Sequence, residues 1–223
     1  EKVPDGWKRS TAEISGGELL IDGGVKVKLN PILAEYIKVN GISKLDDLML
    51  ERYGYVMRGL DNAVIGQFGR QIAYGRDIPS RFTFLEGSSG TGKTRIIEIF
   101  SDMTGYENLP FTIHQHTELF EFRGGHLYEG GVVKVVNTTP FIENEKKGPA
   151  IINFSEANTA DRNGLLNYLY PEMAGRANRL MPEVAKKDTR DGERFYSNKI
   201  SPDTLFVADI NPAGEYASRN PIS

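Results

Sequence analysis

Apolar and polar positions alternate over short distances at the start of the chain. The run ELLIDGGVKVKL, residues 18–29, has β-prone pieces on either side of a DGG turn, which predicts a β-hairpin. Asn30 then precedes Pro31 and the apolar run ILAEYI. Since proline is favoured at the first helical position, this order predicts that a helix begins directly after Asn30.

The next stretch, ISKLDDLMLERYGYVMRGL, predicts one or two more short helices. Ser43 is the expected N-cap of the first of them, and Asp46 is expected in its first turn. We predict that residues 1–58 form a small accessory element beside a main domain of residues 59–223.

From about residue 60 the pattern becomes an alternation of helical segments and short apolar strands. LDNAVIGQFGRQIAYGRDI predicts a helix that Pro79 ends. The predicted strands are RFTFLE (81–86), LPFTIHQH (109–116), GPAIINFSE (148–156) and DTLFVADI (203–210). Apolar strands separated by helices predict an α/β fold with a parallel sheet that is covered on both faces.

An insert separates the second and third of these strands. HLYEGGVVKVVNTTPFIENEKKG contains the strand-like runs VVKVV and TPFI, which predict a projecting β-hairpin with a charged, exposed return. Further on, Lys186, Lys187 and Arg190 predict a basic, solvated loop.

Composition narrows the classes of function only slightly. The 223 residues carry a net charge of -3, which gives no general attraction to nucleic acid or to an anionic membrane. There is no cysteine, which excludes disulfides and thiolate metal sites. No apolar run approaches the roughly 20 residues of a membrane-spanning helix. We expect a cytoplasmic protein, or a nuclear or organelle-matrix protein in a eukaryote.

The sequence GSSGTGKT, residues 87–94, matches the phosphate-binding P-loop pattern between a predicted strand and a helix expected over 92–103. Its glycines allow backbone N–H groups to converge on a phosphate, Lys93 reaches the β- and γ-phosphates, and Thr94 offers a hydroxyl to Mg²⁺. The loop therefore predicts a nucleoside triphosphate and Mg²⁺ as ligands. The predicted nucleotide-binding residues are Gly87, Ser88, Ser89, Gly90, Thr91, Gly92, Lys93, Thr94 and Arg95.

Four segments in order resemble the AAA+ ATPases of the MoxR, midasin, dynein and McrB group, which carry a helix-2 insert. SEANTA (155–160) resembles "D-E-I-N-x-A" and LFVADINP (205–212) resembles "hhAT-x-NP". TELFEFRGG (117–125) and NRLMP (178–182) resemble two further signatures of the group. The resemblance covers roughly residues 60–223.

This resemblance implies a P-loop NTPase fold of the AAA+ type, a three-layer αβα sandwich whose insert is the β-hairpin, with ATP as the nucleotide. It implies that 59–223 is the large, nucleotide-binding subdomain, with the C-terminal lid, sensor 2 and the usual arginine finger absent. Residues 214–223 resemble the "G-x-x-x-x-G-R-x-x-L-S" run of the group. Arg219 in this run is interpreted as a surface or interface residue, with contact to a neighbouring subunit's nucleotide as the alternative.

The resemblance also implies roles for single residues. Glu156 would orient or activate the attacking water, and Asn211 would be the sensor-1 side chain that helps to hold it. Thr94 and Ser155 would lie at the Mg²⁺ ion. Ser155 departs from the pattern because it replaces an aspartate and brings no negative charge, which predicts weaker Mg²⁺ binding and slower turnover.

Three functions stay open on the sequence. The first is an ATPase module of a homo- or hetero-oligomeric ring, a hexamer in this group, that remodels an unidentified macromolecular partner. The second is a structural module that holds ATP or ADP and hydrolyses it poorly, as Ser155 suggests. The third is a GTP-using motor similar to McrB. Direct nucleic-acid or membrane binding is not indicated.

Overall fold

The computed structural model describes eight stretches of the chain: residues 10–74, 82–117, 125–129, 131–136, 149–159, 180–188, 194–199 and 203–212. These residues belong to two compact units. Unit 1 comprises Glu1–Ile78 and Arg95–Tyr106, and unit 2 comprises Pro79–Thr94 and Glu107–Ser223. Among the described residues, no helix is long and apolar enough to cross a membrane.

Unit 1 contains an antiparallel meander of three strands. The strands are β1 (Ala12–Ser15), β2 (Glu18–Ile21) and β3 (Val25–Lys28), hydrogen-bonded in the order β1-β2-β3. The predicted hairpin is therefore confirmed, with Ile21 opposite Val25 across the DGG turn. Alternating apolar side chains are buried on one face, as the two-residue period of a strand requires.

Two short helices follow the meander. Helix α1 (Pro31–Asn40) begins where predicted, and the Asn30 Oδ1 accepts the Ile32 backbone N–H at 3.1 Å. Helix α2 (Leu45–Tyr53) has Asp46 in its first turn, as predicted. The predicted cap at Ser43 is wrong, because the helix begins one residue later and its N-cap position falls on Lys44, which makes no side-chain cap bond.

Helix α3 (Asp61–Tyr74) packs closely on the meander. A Cβ atom added at Gly66 would lie 2.9 Å from the backbone carbonyl carbon of Ser10, so a larger residue would push the helix away. Residue 58 as the boundary between an accessory element and a main domain stays a prediction. The expected stop at Pro79 lies outside the described residues.

Unit 2 is built on a parallel sheet of four strands, as predicted. The strands β4 (Phe82–Glu86), β5 (Glu107–Thr112), β8 (Ala150–Ser155) and β11 (Leu205–Ile210) are arranged in the order β4-β11-β8-β5. Nearly all residues of the two central strands, β8 and β11, are buried. Helix α4 (Lys93–Thr104) follows the glycine loop after β4; its first two residues belong to unit 2 and the others to unit 1.

Strand β5 ends earlier than the predicted 109–116. The chain turns between His114 and Thr117: the His114 backbone N–H donates to the Thr117 Oγ1 at 2.8 Å, and the Thr117 N–H donates to the His114 carbonyl at 3.0 Å. This local turn replaces the strand pairing that the apolar pattern alone suggests.

Two antiparallel hairpins lie between strands of the sheet along the chain. Strand β7 (Val132–Val136) is the predicted VVKVV run, and it pairs with β6 (Gly125–Glu129), while TPFI lies outside the described residues. Strands β9 (Leu180–Asp188) and β10 (Arg194–Lys199) form a second hairpin that the sequence did not predict.

The second hairpin corrects the predicted basic loop. Lys186 and Lys187 lie on β9, where they pair with β10, so their assignment to a loop is wrong. Arg190 lies outside the described residues. Lys186 pairs with Tyr196 and Lys187 with Phe195 in a local hairpin. Lysine is depleted in strands, so the composition around these two lysines does not reveal the pairing.

Candidate functional site

The glycine loop connects β4 to α4 and is held to the neighbouring strand β11. The Gly87 backbone N–H donates to the Ile210 carbonyl at 3.2 Å. A Cβ atom at Gly87 would lie 2.9 Å from the Thr91 Oγ1, so a side chain at residue 87 would displace that hydroxyl. Gly92 has a φ of 85°, a conformation that favours glycine. The Thr91 hydroxyl donates to the Ser88 carbonyl at 2.8 Å and closes the loop on itself.

Together, the parallel sheet and a strand–loop–helix unit with this loop sequence form an α/β fold of the P-loop NTPase type. The loop lies at the carboxyl end of β4, where open α/β sheets bind their ligands. The predicted fold class is confirmed at this level.

Lys93 is the residue on which the loop converges. Its ammonium donates to the Gly87 carbonyl, to the Ser88 carbonyl at 3.0 Å, and to the Asn211 Oδ1 at 3.1 Å. The last contact joins two side chains 118 residues apart. The fold therefore brings together two predicted site residues, and a phosphate bound by the loop would compete for the same ammonium hydrogens.

The side chain of Asn158 holds the backbone of Asn211. The Asn158 Nδ2 donates to the Asn211 carbonyl at 2.7 Å, and the Asn158 Oδ1 accepts the Asn211 N–H at 3.4 Å. Both residues are buried. Because the backbone of Asn211 is held at both of its polar groups, its amide side chain is left to contact Lys93.

Glu156 follows β8 in a left-handed conformation, with a φ of 57°. Such a conformation in a residue other than glycine costs about 1–3 kcal/mol and persists only where surrounding contacts enforce it. Here the Asp209 Oδ1 accepts the Glu156 N–H at 3.2 Å, and the Asp209 carbonyl accepts the Ala157 N–H at 2.9 Å. The Thr159 N–H donates to the Glu156 carbonyl at 2.9 Å. The turn that carries Glu156 is thereby held against β11.

Ser155 is the last residue of β8 and is half-buried. Its Oγ accepts a hydrogen bond from the Asn153 Nδ2 at 3.4 Å, and its carbonyl accepts the Ile113 N–H at 2.9 Å. Thr94 is exposed in the first turn of α4. The assignment of Thr94 and Ser155 to a Mg²⁺ ion stays a prediction.

Arg95 is engaged within unit 1. Its guanidinium pairs with the Glu98 carboxylate at 3.1 Å, and both side chains are about half exposed. They line a cavity of about 320 Å³, together with Arg52, Tyr53, Ile99 and Asp102. In the same cavity, burial raises the pKa of Tyr53, and so does the hydrogen bond that its hydroxyl donates to Asp102. Arg95 as a nucleotide contact stays a prediction.

Two residues of the site had no role in the sequence analysis. Asn158 lies inside the SEANTA run and Asp209 inside LFVADINP, but neither was assigned a contact. An acidic residue in an otherwise apolar strand is a signal that sequence alone offers for Asp209. For Asn158, the only signal was its position in the motif.

A triphosphate and a Mg²⁺ ion are the groups that the loop implies, and the side chains present fit them. Hydroxyl and carboxylate oxygens are the ligands that Mg²⁺ prefers, directly or through bound water. The Oδ2 of Asp209 is buried and has no hydrogen-bond partner among the described residues. Within those residues there is no group of three or more His, Cys, Asp or Glu side chains that could hold a metal ion.

Comparison with known proteins adds little to this geometry. No protein-family model matches the chain, and no curated protein matches it. Among solved structures, the chain is similar to a "putative ATPase" from Cytophaga hutchinsonii, with 17% sequence identity and a TM-score of 0.40. The match covers 71% of this chain and 44% of that chain, so this chain spans less than half of that protein's length.

Proposed function

We propose that this chain binds ATP with Mg²⁺ and hydrolyses it, as a module of the AAA+ type. The observation that carries the proposal is the 3.1 Å contact between the Lys93 ammonium and the Asn211 amide. It joins the phosphate loop to the carboxyl end of the neighbouring strand, where a γ-phosphate bound by the loop would lie. A phosphate-binding loop alone would account for Lys93 but not for Asn211.

In this proposal the loop N–H groups and Lys93 bind and orient the phosphates. Glu156 accepts a proton from the attacking water, a contribution of about 10²–10⁴ in rate for a positioned general base. Asn211 orients that water and the γ-phosphate, since one amide both donates and accepts hydrogen bonds. When bound, Mg²⁺ neutralises charge that develops on the phosphate oxygens.

The rigid support around Glu156 favours hydrolysis over simple nucleotide storage. A strained turn at 156 held by Asp209 is costly to keep and is typical of sites where geometry matters for chemistry. Assembly into a ring and remodelling of a macromolecular partner are the wider activity that we propose from the four motifs. We propose ATP as the nucleotide, with GTP as the alternative. A nucleotide competition assay distinguishes the two.

The second candidate function is a module that holds nucleotide without consuming it. Ser155 favours it, because a neutral hydroxyl stands at the end of β8 where the resembling ATPases have a carboxylate. Mg²⁺-dependent turnover by the wild-type protein would eliminate this candidate.

The decisive experiment is Glu156→Gln. We expect the steady-state rate of ATP hydrolysis to fall by about 10²–10⁴, with the affinity for ATP unchanged, because the amide keeps the shape but accepts no proton. Glu51→Gln on the exposed surface of α2 is the matched control and should hydrolyse like wild type.

Equal turnover by the Glu156→Gln variant and wild type would contradict the role of Glu156. Failure of the wild-type protein to bind ATP, with and without Mg²⁺, would remove the proposed function as a whole.

A further inference from the structure

Strands β8 and β11 bring two unlike residues to the same place at the carboxyl edge of the sheet. The parallel register pairs Phe154 with Ala208, so Ser155 and Asp209 follow side by side on adjacent strands. Side chains alternate between the faces along a strand, and those of paired residues leave the same face. Ser155 and Asp209 therefore share one face of the sheet.

Asp209 is a buried acid with an unused oxygen. The residue is only 4% exposed. Its Oδ1 accepts the Glu156 N–H, and its Oδ2 has no hydrogen-bond partner among the described residues. No ion pair of Asp209 is found in that part of the chain. A buried carboxylate with one unpartnered oxygen is destabilising unless a cation or a donor reaches it.

The chemistry of Ser155 and Asp209 is complementary. Ser155 supplies a hydroxyl, which already accepts a hydrogen bond from Asn153 at 3.4 Å. Asp209 supplies the carboxylate charge that Ser155 lacks, one strand away. Adjacent strands are separated by about 4.8 Å, a distance that a metal-bound water can bridge.

Building on the proposed function, we propose that Asp209 is the anionic group that positions the Mg²⁺ accompanying the nucleotide, through a metal-bound water on its Oδ2. Ser155 contributes only a neutral hydroxyl. The Oδ1 of Asp209 meanwhile keeps the Glu156 turn in place. One side chain thus connects the metal shell to the residue that we assign to water activation.

The test measures Mn²⁺, in place of Mg²⁺, by electron paramagnetic resonance on the full chain saturated with a non-hydrolysable ATP analogue. Asp209→Asn keeps an oxygen for the Glu156 N–H but removes the charge. We expect Mn²⁺ affinity to fall by about 10- to 100-fold, as for other residues that support a metal from its outer shell. Affinity for the analogue in EDTA should not change.

Asp203→Asn is the matched control, since Asp203 is exposed and precedes the opposite end of the same strand, about 20 Å away along the chain. It should leave Mn²⁺ affinity unchanged. The double variant Asp209→Asn with Ser155→Asp should regain Mn²⁺ affinity, because a carboxylate returns to the adjacent strand end.

Wild-type Mn²⁺ affinity in Asp209→Asn would overturn the inference, and so would an equal loss of analogue binding in EDTA, which would mean that Asp209 acts through structure alone. If Asp209→Asn does not fold, Ser155→Ala decides: we expect a loss of less than about tenfold for one neutral hydroxyl, and a larger loss would overturn the inference. If wild type does not bind the analogue at all, the proposed function fails instead.

Discussion

Among the described residues, each unit contains an asparagine whose side chain bonds both backbone polar groups of a residue far away in sequence, an arrangement that we call an asparagine clamp. In unit 1, Asn62 bonds both backbone polar groups of Ala12, at 3.0 Å to the N–H and 2.8 Å to the carbonyl. In unit 2, Asn158 does the same to Asn211, at 3.4 Å and 2.7 Å. Each clamp joins residues about 50 positions apart, 50 in one case and 53 in the other.

What differs is the side chain that each clamp presents. Ala12 contributes a buried methyl group to the meander, whereas Asn211 presents an amide that contacts Lys93. The clamp itself is therefore a structural device in both units. The candidate function depends on the side chain of the clamped residue and on the residue that this side chain contacts.

The two clamps also differ in the buried polar atoms near them. Three buried side-chain oxygens without a hydrogen-bond partner among the described residues lie at or near the carboxyl ends of β8 and β11. They belong to Asn153, Thr159 and Asp209. Native structures satisfy nearly all such atoms, so the presence of three of them near these strand ends supports the nucleotide site that we propose.

Of the variants that test this comparison, Asn211→Ala is expected to have the largest effect. It removes the amide that contacts Lys93 but keeps the backbone groups that Asn158 holds. We expect ATP turnover to fall by about 100-fold, the usual loss for one positioned polar group at a reacting centre. The free energy of unfolding, measured in urea, should change little. A large loss of stability with normal turnover would mean that the Asn211 side chain has a structural role, as Ala12 has, and would contradict the contrast between the two clamps.

Next in size is removal of the clamp at the candidate site. Asn158→Ala leaves the Asn211 N–H and carbonyl buried without their partner, and we expect the unfolding free energy to fall by about 2–5 kcal/mol. Turnover should fall as well, because Asn211 loses its support. Normal turnover at a temperature where the variant stays folded would mean that Asn211 needs no support from Asn158.

The smallest effect is expected from the corresponding change in unit 1. Asn62→Ala removes two hydrogen bonds at a partly buried position, where water can replace them in part, so we expect a loss of about 1–2 kcal/mol. Its ATP turnover per folded molecule should equal that of wild type. Asn40→Ala, which removes one exposed hydrogen bond to Tyr36, is the control and should unfold like wild type within about 0.5 kcal/mol.

Local pattern was a good guide wherever the chain's own neighbours decide the structure. The hairpin at residues 18–29, the start of α1 after Asn30 and the four strands of the parallel sheet were all predictable from spacing, turn residues and apolar runs. The Ser43 cap failed by a single residue, and Lys186 and Lys187 proved to lie on a strand that pairs with the next strand along the chain. The exact end of a helix depends on its capping contacts, and a strand that carries lysines has a weak strand signal, so a local pattern decides neither.

By itself, the sequence determined the phosphate loop, its glycines and its lysine, because the pattern of a P-loop lies within eight consecutive residues. It also marked Ser155 as a departure. Only the tertiary structure decided that Lys93 contacts Asn211 and that Asn158 bonds the backbone of Asn211. The same is true of Asp209, which lies beside Ser155 and whose buried Oδ2 has no hydrogen-bond partner among the described residues. The physical reason is strand register: residues separated by more than 50 positions become neighbours only when parallel strands align their carboxyl ends.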